Sequence, residues 1–179
     1  MSDLGPTLTT ARLTLRPPRP EDFDAFAGLL ADPRAMDFIG GAQVPAVAWR
    51  TFTQNAGQWA MSGYGFFLVW ETVTDTLVGR VGTHMPVGWP GAEVGWAIAG
   101  EAHGKGYATE AATAAMDWAF NTLGWAEAIH CIDAQNEPSM AVARRLGSRA
   151  LREAMLPPPI DHECVVWGQS AAEWKARQA

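Results

Sequence analysis

Charge is scarce in this chain of 179 residues: charged side chains make up only 18% of it, too little to keep a disordered segment solvated. A basic excess is also missing. Thirteen Lys and Arg stand against nineteen Asp and Glu, giving a net charge of −6 and a pI near 5.1, which argues against a nucleic-acid partner because a phosphate backbone selects basic surfaces. No apolar stretch approaches the ~20 residues of a membrane span. The start, Met1-Ser2-Asp3-Leu4-Gly5-Pro6, lacks a basic region followed by an apolar run, so no signal peptide is read and a cytoplasmic location is expected. Cysteine is reduced to Cys131 and Cys164, whose spacing suits no metal site. No metal is expected, and the two thiols are read as reduced core residues rather than a disulfide. Repeats, low-complexity tracts and linkers are absent, so one domain over 1–179 is expected. What remains is 48% hydrophobic, enough for one sizeable core. Nine tryptophans, spread along the chain, read as core and pocket walls.

The alternation of Ala11-Arg12-Leu13-Thr14-Leu15-Arg16-Pro17 predicts a strand. Pro20-Glu21-Asp22 then suits the first turn of a helix whose buried stripe is Phe23, Phe26, Leu29 and Leu30. A second helix is predicted from about Val44 to Met61, stopped by Gly63. Three strands follow, at Phe66–Glu71, Leu77–Met85 and Glu93–Ala99. Ala108, Ala111, Ala112, Ala115, Met116, Ala119, Phe120 and Leu123 recur at helical spacing, with Gly124 as a C-terminal cap. Ala128–Asp133 reads as a strand, Asn136 to Gly147 as a short helix, and Arg149–Ala154 and His162–Gln169 as strands either side of Pro157-Pro158-Pro159. This order gives a mixed α/β (α+β) layered fold rather than a regular βαβ array.

Chemistry concentrates in two places. In His103-Gly104-Lys105-Gly106-Tyr107-Ala108-Thr109-Glu110 a glycine-rich turn opens the Ala-rich helix. Such a turn presents unpaired backbone N–H groups and the positive end of the helix dipole, the chemistry that holds phosphate. Gly104 and Gly106 allow close backbone approach, Ala108 keeps the floor small and Lys105 neutralises charge. Lys105 is followed by Gly106 rather than Ser or Thr, so this is no Walker A loop. It also lacks the third small residue and the later acid of a dinucleotide fingerprint. The second place is Asn136-Glu137-Pro138-Ser139. Asn before a proline-containing first turn is an ordinary helix cap, but one helix and one strand separate it from the glycine turn. Both turns are therefore expected on the same edge of the sheet, lining one cleft.

Together these residues resemble the GCN5-related N-acetyltransferase (GNAT) superfamily. Its cofactor loop is Gln or Arg, two residues, Gly, one residue, then Gly or Ala, and His103, Gly106 and Ala108 stand at those positions. Tyr107-Ala108-Thr109-Glu110-Ala111, then Asn136, Ser139 and Arg145-Leu146-Gly147, are similar to the branch of ribosomal-protein N-terminal acetyltransferases (RimJ/RimL-like). So are Ala92-Glu93-Val94-Gly95-Trp96-Ala97-Ile98 and the opening Thr10-Ala11-Arg12-Leu13-Thr14-Leu15-Arg16. The resemblance implies a single domain with a central, mostly antiparallel, splayed sheet of about six or seven strands flanked by about four helices. It implies acetyl-coenzyme A as donor, with the amides of His103, Gly104, Lys105, Gly106, Tyr107 and Ala108 on the pyrophosphate. The backbone of Ile98 and Ala99 would pair with the pantetheine arm as an added strand, with Asn136 fixing that arm. The acceptor would be an amine, either a protein N-terminus or a small molecule, and the protein a monomer or homodimer.

Two departures from the family pattern stand out. His103 replaces Gln or Arg, and Ala143 stands where many members carry a Tyr that protonates the leaving thiolate. Ser139 either takes over that role or serves the helix terminus. Glu93 is the candidate base, since an amine nucleophile must lose a proton; as a partly buried carboxylate it would have a raised pKa. Its alternative is an exposed strand charge or half of an ion pair. His84 is a second candidate, while His162 and Glu163 face the acceptor in this reading. Trp49, Trp59, Trp89 and Trp96 are either acceptor walls or core. The alternative function is a non-catalytic acyl-coenzyme-A-binding domain.

Overall fold

A computed structural model describes residues 4–178. Along the chain they form β1 (Leu8–Thr9), β2 (Leu13–Arg16), α1 (Phe23–Ala31), α2 (Pro33–Met36), α3 (Pro45–Ser62), β3 (Phe66–Glu71), β4 (Thr76–His84) and β5 (Glu93–Ile98). There follow α4 (Tyr107–Asn121), β6 (Glu127–Ile132), α5 (Glu137–Leu146), β7 (Arg149–Met155), β8 (Glu163–Ser170) and α6 (Ala171–Gln178). The α+β class is as expected. The described residues hold eight strands in the order β1-β2-β3-β4-β5-β6-β8-β7 and six α-helices, a little more of each than the sequence pattern predicts. The additions are β1, α2 and α6, two of them too short to show any periodicity.

The chain forms two compact units. One holds the chain up to Gly82 together with Trp96–Ala114; the other holds Thr83–Gly95 and the chain from Ala115 onward.

In the first unit β1, β2, β3 and β4 run antiparallel, with Leu15 opposite both Leu8 and Val69, and Phe67 opposite Val81. Leu13 and Leu15 are fully buried while Thr14 and Arg16 are not, the period of two that the sequence displays. Phe26, Leu29, Leu30, Met36, Ala48, Phe52 and Leu68 form the core over this sheet. Asp22 lies buried and accepts two hydrogen bonds from the Arg16 guanidinium, at 2.6 and 2.7 Å, and one from Arg19 N at 2.7 Å. The bidentate pair satisfies a charge that would otherwise be costly to bury. On α3, Asn55 donates to Phe66 O and accepts from Phe66 N, both at 2.9 Å. One side chain thus takes the place of a neighbouring strand at the start of β3. Gly79 is dictated by close approach: a Cβ there would lie 2.4 Å from Ala97 O.

In the second unit β6 runs antiparallel to β8, from Glu127 opposite Ser170 to Ile132 opposite Val165, and β7 closes the edge beyond β8. β5 pairs with β6 in parallel at a single described position, Glu93 opposite Ile129. α5 begins at the N-cap Asn136, whose side chain accepts from Ser139 N at 3.1 Å, and ends at Gly147 with φ +88°. α6 begins at a capping box: Glu173 accepts from Ser170 N at 2.8 Å, and Ser170 Oγ accepts from Glu173 N at 3.2 Å.

Candidate active site

The glycine turn belongs to the first unit. Gly104 and Gly106 have φ of +75° and +81°, a left-handed conformation that glycine adopts at no steric cost. The first i→i−4 bond of α4 runs from Glu110 N to Gly106 O at 3.1 Å. The amides of Tyr107, Ala108 and Thr109 therefore precede the helix's own ladder and face its N-terminus. Residues 103–106 are exposed. An exposed turn of this shape, with glycine backbone, first-turn amides and one lysine, fits a pyrophosphate.

A brace holds the turn, and no sequence pattern announces it. Glu110 accepts from Arg12 Nε at 2.7 Å, Arg12 N at 2.9 Å and Thr10 Oγ1 at 2.6 Å. Arg12 Nη1 also donates to Lys105 O at 2.9 Å, and the guanidinium lies 4.6 Å over the Tyr107 ring. Burial pushes the Glu110 carboxyl up, but the hydrogen bonds from Thr10 and Arg12 outweigh it and leave it below the ordinary glutamate value. Tyr107 Oη donates to Glu71; that bond raises the phenol and helps Thr74 lower the carboxyl. Arg12 and Glu110 lie 98 positions apart, so no local pattern links them.

His103 closes the turn onto β5. Ile98 O can only accept, so His103 Nε2 carries the proton and donates to it at 2.8 Å. Ala99 N donates to Val78 O at 2.9 Å. A pantetheine arm at Ile98 and Ala99 would thus meet a carbonyl with one lone pair engaged and an N–H already donated within the chain.

The remaining candidates lie in the second unit. Glu93 is 7% exposed. Its Oε1 accepts from Cys131 N at 2.9 Å and its Oε2 from Trp89 Nε1 at 2.5 Å. It is not an exposed strand charge: it is buried, and each of its oxygens accepts one N–H bond. His84 stands edge-on to the same Trp89, ring centroids 4.7 Å apart, so one indole touches both candidate bases. Ser139 is half-buried in the first turn of α5, next to its cap Asn136. The cap uses Asn136 Oδ1 and leaves the amide nitrogen out of that bond. Ala143 is fully buried. His162 and Asp133 are paired at 2.7 Å. Cys131 and Cys164 are free thiols, and burial pushes both up, which keeps them protonated and poor nucleophiles. Trp59 is core at 1% exposure, whereas Trp49 is half exposed against Phe23.

Against known proteins, residues 12–149 match the family described as Acetyltransferase (GNAT) domain. An acetyltransferase of Agrobacterium tumefaciens str. C58 superposes with a TM-score of 0.78 at 35% identity, covering 92% of this chain and 94% of that one. An uncharacterized N-acetyltransferase of Bacillus subtilis (strain 168), YnaD, is 28% identical over 143 residues, 79% of this chain and 82% of that one. The ribosomal-protein-S5-alanine acetyltransferase of Vibrio fischeri shares the fold, with a TM-score of 0.75 at 16% identity over 94% of this chain and 98% of that one.

Proposed function

The chain belongs to the Acetyltransferase (GNAT) domain family and is an acyltransferase, and from that premise we propose that it moves an acetyl group from acetyl-coenzyme A to an amine by direct attack. The observation that carries the donor is the braced glycine turn. Its two left-handed glycines and the first-turn amides of α4 suit a pyrophosphate. In this reading the amides from Gly104 to Ala108 and the Lys105 ammonium hold the pyrophosphate, since His103 N already donates to Gly100 O at 3.3 Å. The pantetheine arm runs along β5 near Ile98 and Ala99 and donates to Ile98 O. The Asn136 amide nitrogen, outside the cap, donates to that arm.

The chemistry needs a proton removed from the attacking ammonium and one delivered to the departing thiolate. Glu93 takes the first. Its burial and its two N–H partners fix the carboxylate in place, and in this reading a water relays the proton from the amine to it. Ser139 assists the second, its hydroxyl hydrogen-bonding to the departing sulfur or polarising a water that gives the sulfur its proton, since Ala143 leaves the usual tyrosine position without a donor. The acceptor is a small-molecule amine or a protein N-terminus. The name of the Vibrio fischeri protein makes N-terminal alanine peptides the first acceptors to try.

Thiol release from acetyl-coenzyme A is the test, run across peptides with free N-termini, amino acids, polyamines and aminoglycosides. Amine-dependent release is expected. Tight coenzyme A binding with no release against any amine would instead identify an acyl-coenzyme-A-binding domain.

A further inference from the structure

His130 lies on β6 and is 1% exposed, yet both of its ring nitrogens are engaged. Nδ1 stands 2.6 Å from Val94 O and Nε2 3.0 Å from Ser148 Oγ. The carbonyl only accepts, so Nδ1 carries the proton and Nε2 receives the Ser148 hydroxyl hydrogen. Ser148 Oγ in turn accepts from Gln169 Nε2 at 2.9 Å, and the same amide donates to Leu146 O at 2.9 Å. Leu146 O also fixes the amide orientation, because the opposite one would set two acceptors face to face. Gln169 Oε1 is left without a hydrogen-bond partner among the described residues. The result is a single buried line of donors running from Gln169 through Ser148 and His130 to Val94. Ser148 and Gln169 are 5% and 3% exposed, so water cannot readily replace any link.

The two ends of this line give it a role. Among the described residues β5 pairs with β6 at one position, Glu93 opposite Ile129, so on the β6 side the ladder stops there, while β4 is hydrogen-bonded along the other side. Glu93 is bracketed by two ties to β6. Ahead of it Ile129 N donates to Ala92 O at 2.8 Å; after it His130 Nδ1 donates to Val94 O. The second tie comes from a side chain, so one substitution removes it without touching the ladder. At the other end the line reaches Leu146, the last residue of α5, whose first turn holds Asn136 and Ser139.

We propose that His130 is a positioning residue for acetyl transfer, fixing the segment of β5 that carries Glu93 and tying it, through Ser148 and Gln169, to the helix that carries Ser139. The proposal rests on the acetyl-transfer reading above. His130 touches no reacting atom; it sets where the carboxylate sits.

The test compares His130→Leu, which removes both links, with His130→Asn, whose amide keeps a donor near the Nδ1 position. The first readout needs no activity: the indole N–H resonance of Trp89, identified by its absence in Trp89→Phe, reports the bond to Glu93 Oε2. It is expected to move in His130→Leu and to return toward its original place in His130→Asn. In thiol release with acetyl-coenzyme A and N-terminal alanine peptides, His130→Leu should lower kcat on the order of a hundredfold, as for a misplacement of about 1 Å. KM for acetyl-coenzyme A should stay unchanged, and His130→Asn should recover most of the rate. If His130→Leu does not fold, Ser148→Ala, which cuts the line at its middle, takes its place. A Trp89 resonance and a kcat that both stay put, or an Asn variant no better than Leu, would overturn the proposal. A wild-type protein that releases no thiol with any amine would instead overturn acetyl transfer, while the Trp89 resonance would still decide whether His130 holds Glu93.

Discussion

Gly106 has a φ of +81°, and a Cβ built on it would lie 3.5 Å from Arg12 Nη2. An aspartate there carries a strained backbone and a carboxylate beside the amides read as the pyrophosphate cradle. The strain is bearable for this residue type, which tolerates the left-handed region, but the charge repels the ligand. Gly106→Asp is therefore expected to abolish coenzyme A binding in titration calorimetry while the circular dichroism spectrum is retained; unchanged affinity would remove the turn from the cofactor site. Ser139 poses a different question, since its backbone serves the Asn136 cap whatever its hydroxyl does. Ser139→Ala keeps that N–H and deletes only the hydroxyl. If the hydroxyl aids thiolate departure, kcat should fall on the order of a hundredfold, the lower end of what a positioned acid contributes, with coenzyme A affinity nearly unchanged. Equal turnover at saturating substrates would assign Ser139 to the helix terminus alone. Such residue-scale roles are legible where chemistry is local, as in the glycine turn and the N-cap. They are illegible where it is not: nothing near Arg12 announces Glu110, and nothing near Glu93 announces the Cys131 amide.

Among the elements, legibility tracks length and period. β3 is read to its ends because Phe66–Trp70 is a continuous apolar run, bounded by Gly65 before it and by Glu71 and the turn after it. α4 is read because its small residues recur at helical spacing. β1 escapes a reading by pattern, since Leu8-Thr9 holds only two residues and owes its form to pairing with β2. α6 is another matter: the Ser-Ala-Ala-Glu signature of a capping box at 170–173 stands in the sequence, masked by the apolar strand that runs straight into it. α3 shows what a period cannot reveal. Its buried residues include Asn55, a polar position on an apolar face, and only the structure shows that this amide pairs with both backbone groups of Phe66. Asn55→Leu keeps the volume and strands the part-buried N–H of Phe66, whose carbonyl still accepts from Trp59 Nε1 at 2.9 Å. It is expected to cost about 1–3 kcal/mol of stability, read as a lower urea midpoint at unchanged m-value. A loss below about 0.5 kcal/mol would mean that water replaces the amide at β3.

At the scale of the whole molecule the candidate groups divide between two compact units: the glycine turn, Ile98 and Ala99 in one, and Glu93, Asn136 and Ser139 in the other. The acid sensitivity of the chain separates by group in a similar way. Burial, which outweighs the bond to Val94 O, pushes His130 down to about 4 from an ordinary 6.5. Between those values the unfolded chain binds a proton that the folded one refuses. Stability from this group is therefore complete above about pH 6.5, declines as pH falls toward about 4, and changes no further below that. Each tenfold weakening of proton binding on folding corresponds to about 1.4 kcal/mol, so the loss across this window is on the order of 3 kcal/mol. The carboxylates shift in the same direction, through hydrogen bonds rather than burial, but in a lower pH range. Hydrogen bonds from Ser170 and Arg149 hold Glu173 down to about 2, and Asp32 and Asp133 are lowered by bonds from Gly100 N and Gln135 N. Their contributions are present above the ordinary carboxylate range and are lost as pH falls through the lowered values, beneath most of the histidine's window. Urea unfolding at pH 7.0, 6.0, 5.0 and 4.5 isolates the histidine. The wild type should lose stability progressively across that series, and His130→Asn, lower at pH 7, should show a nearly flat profile over it. Parallel profiles would place the acid sensitivity on other groups and leave His130 without the buried neutral state that its line of donors requires.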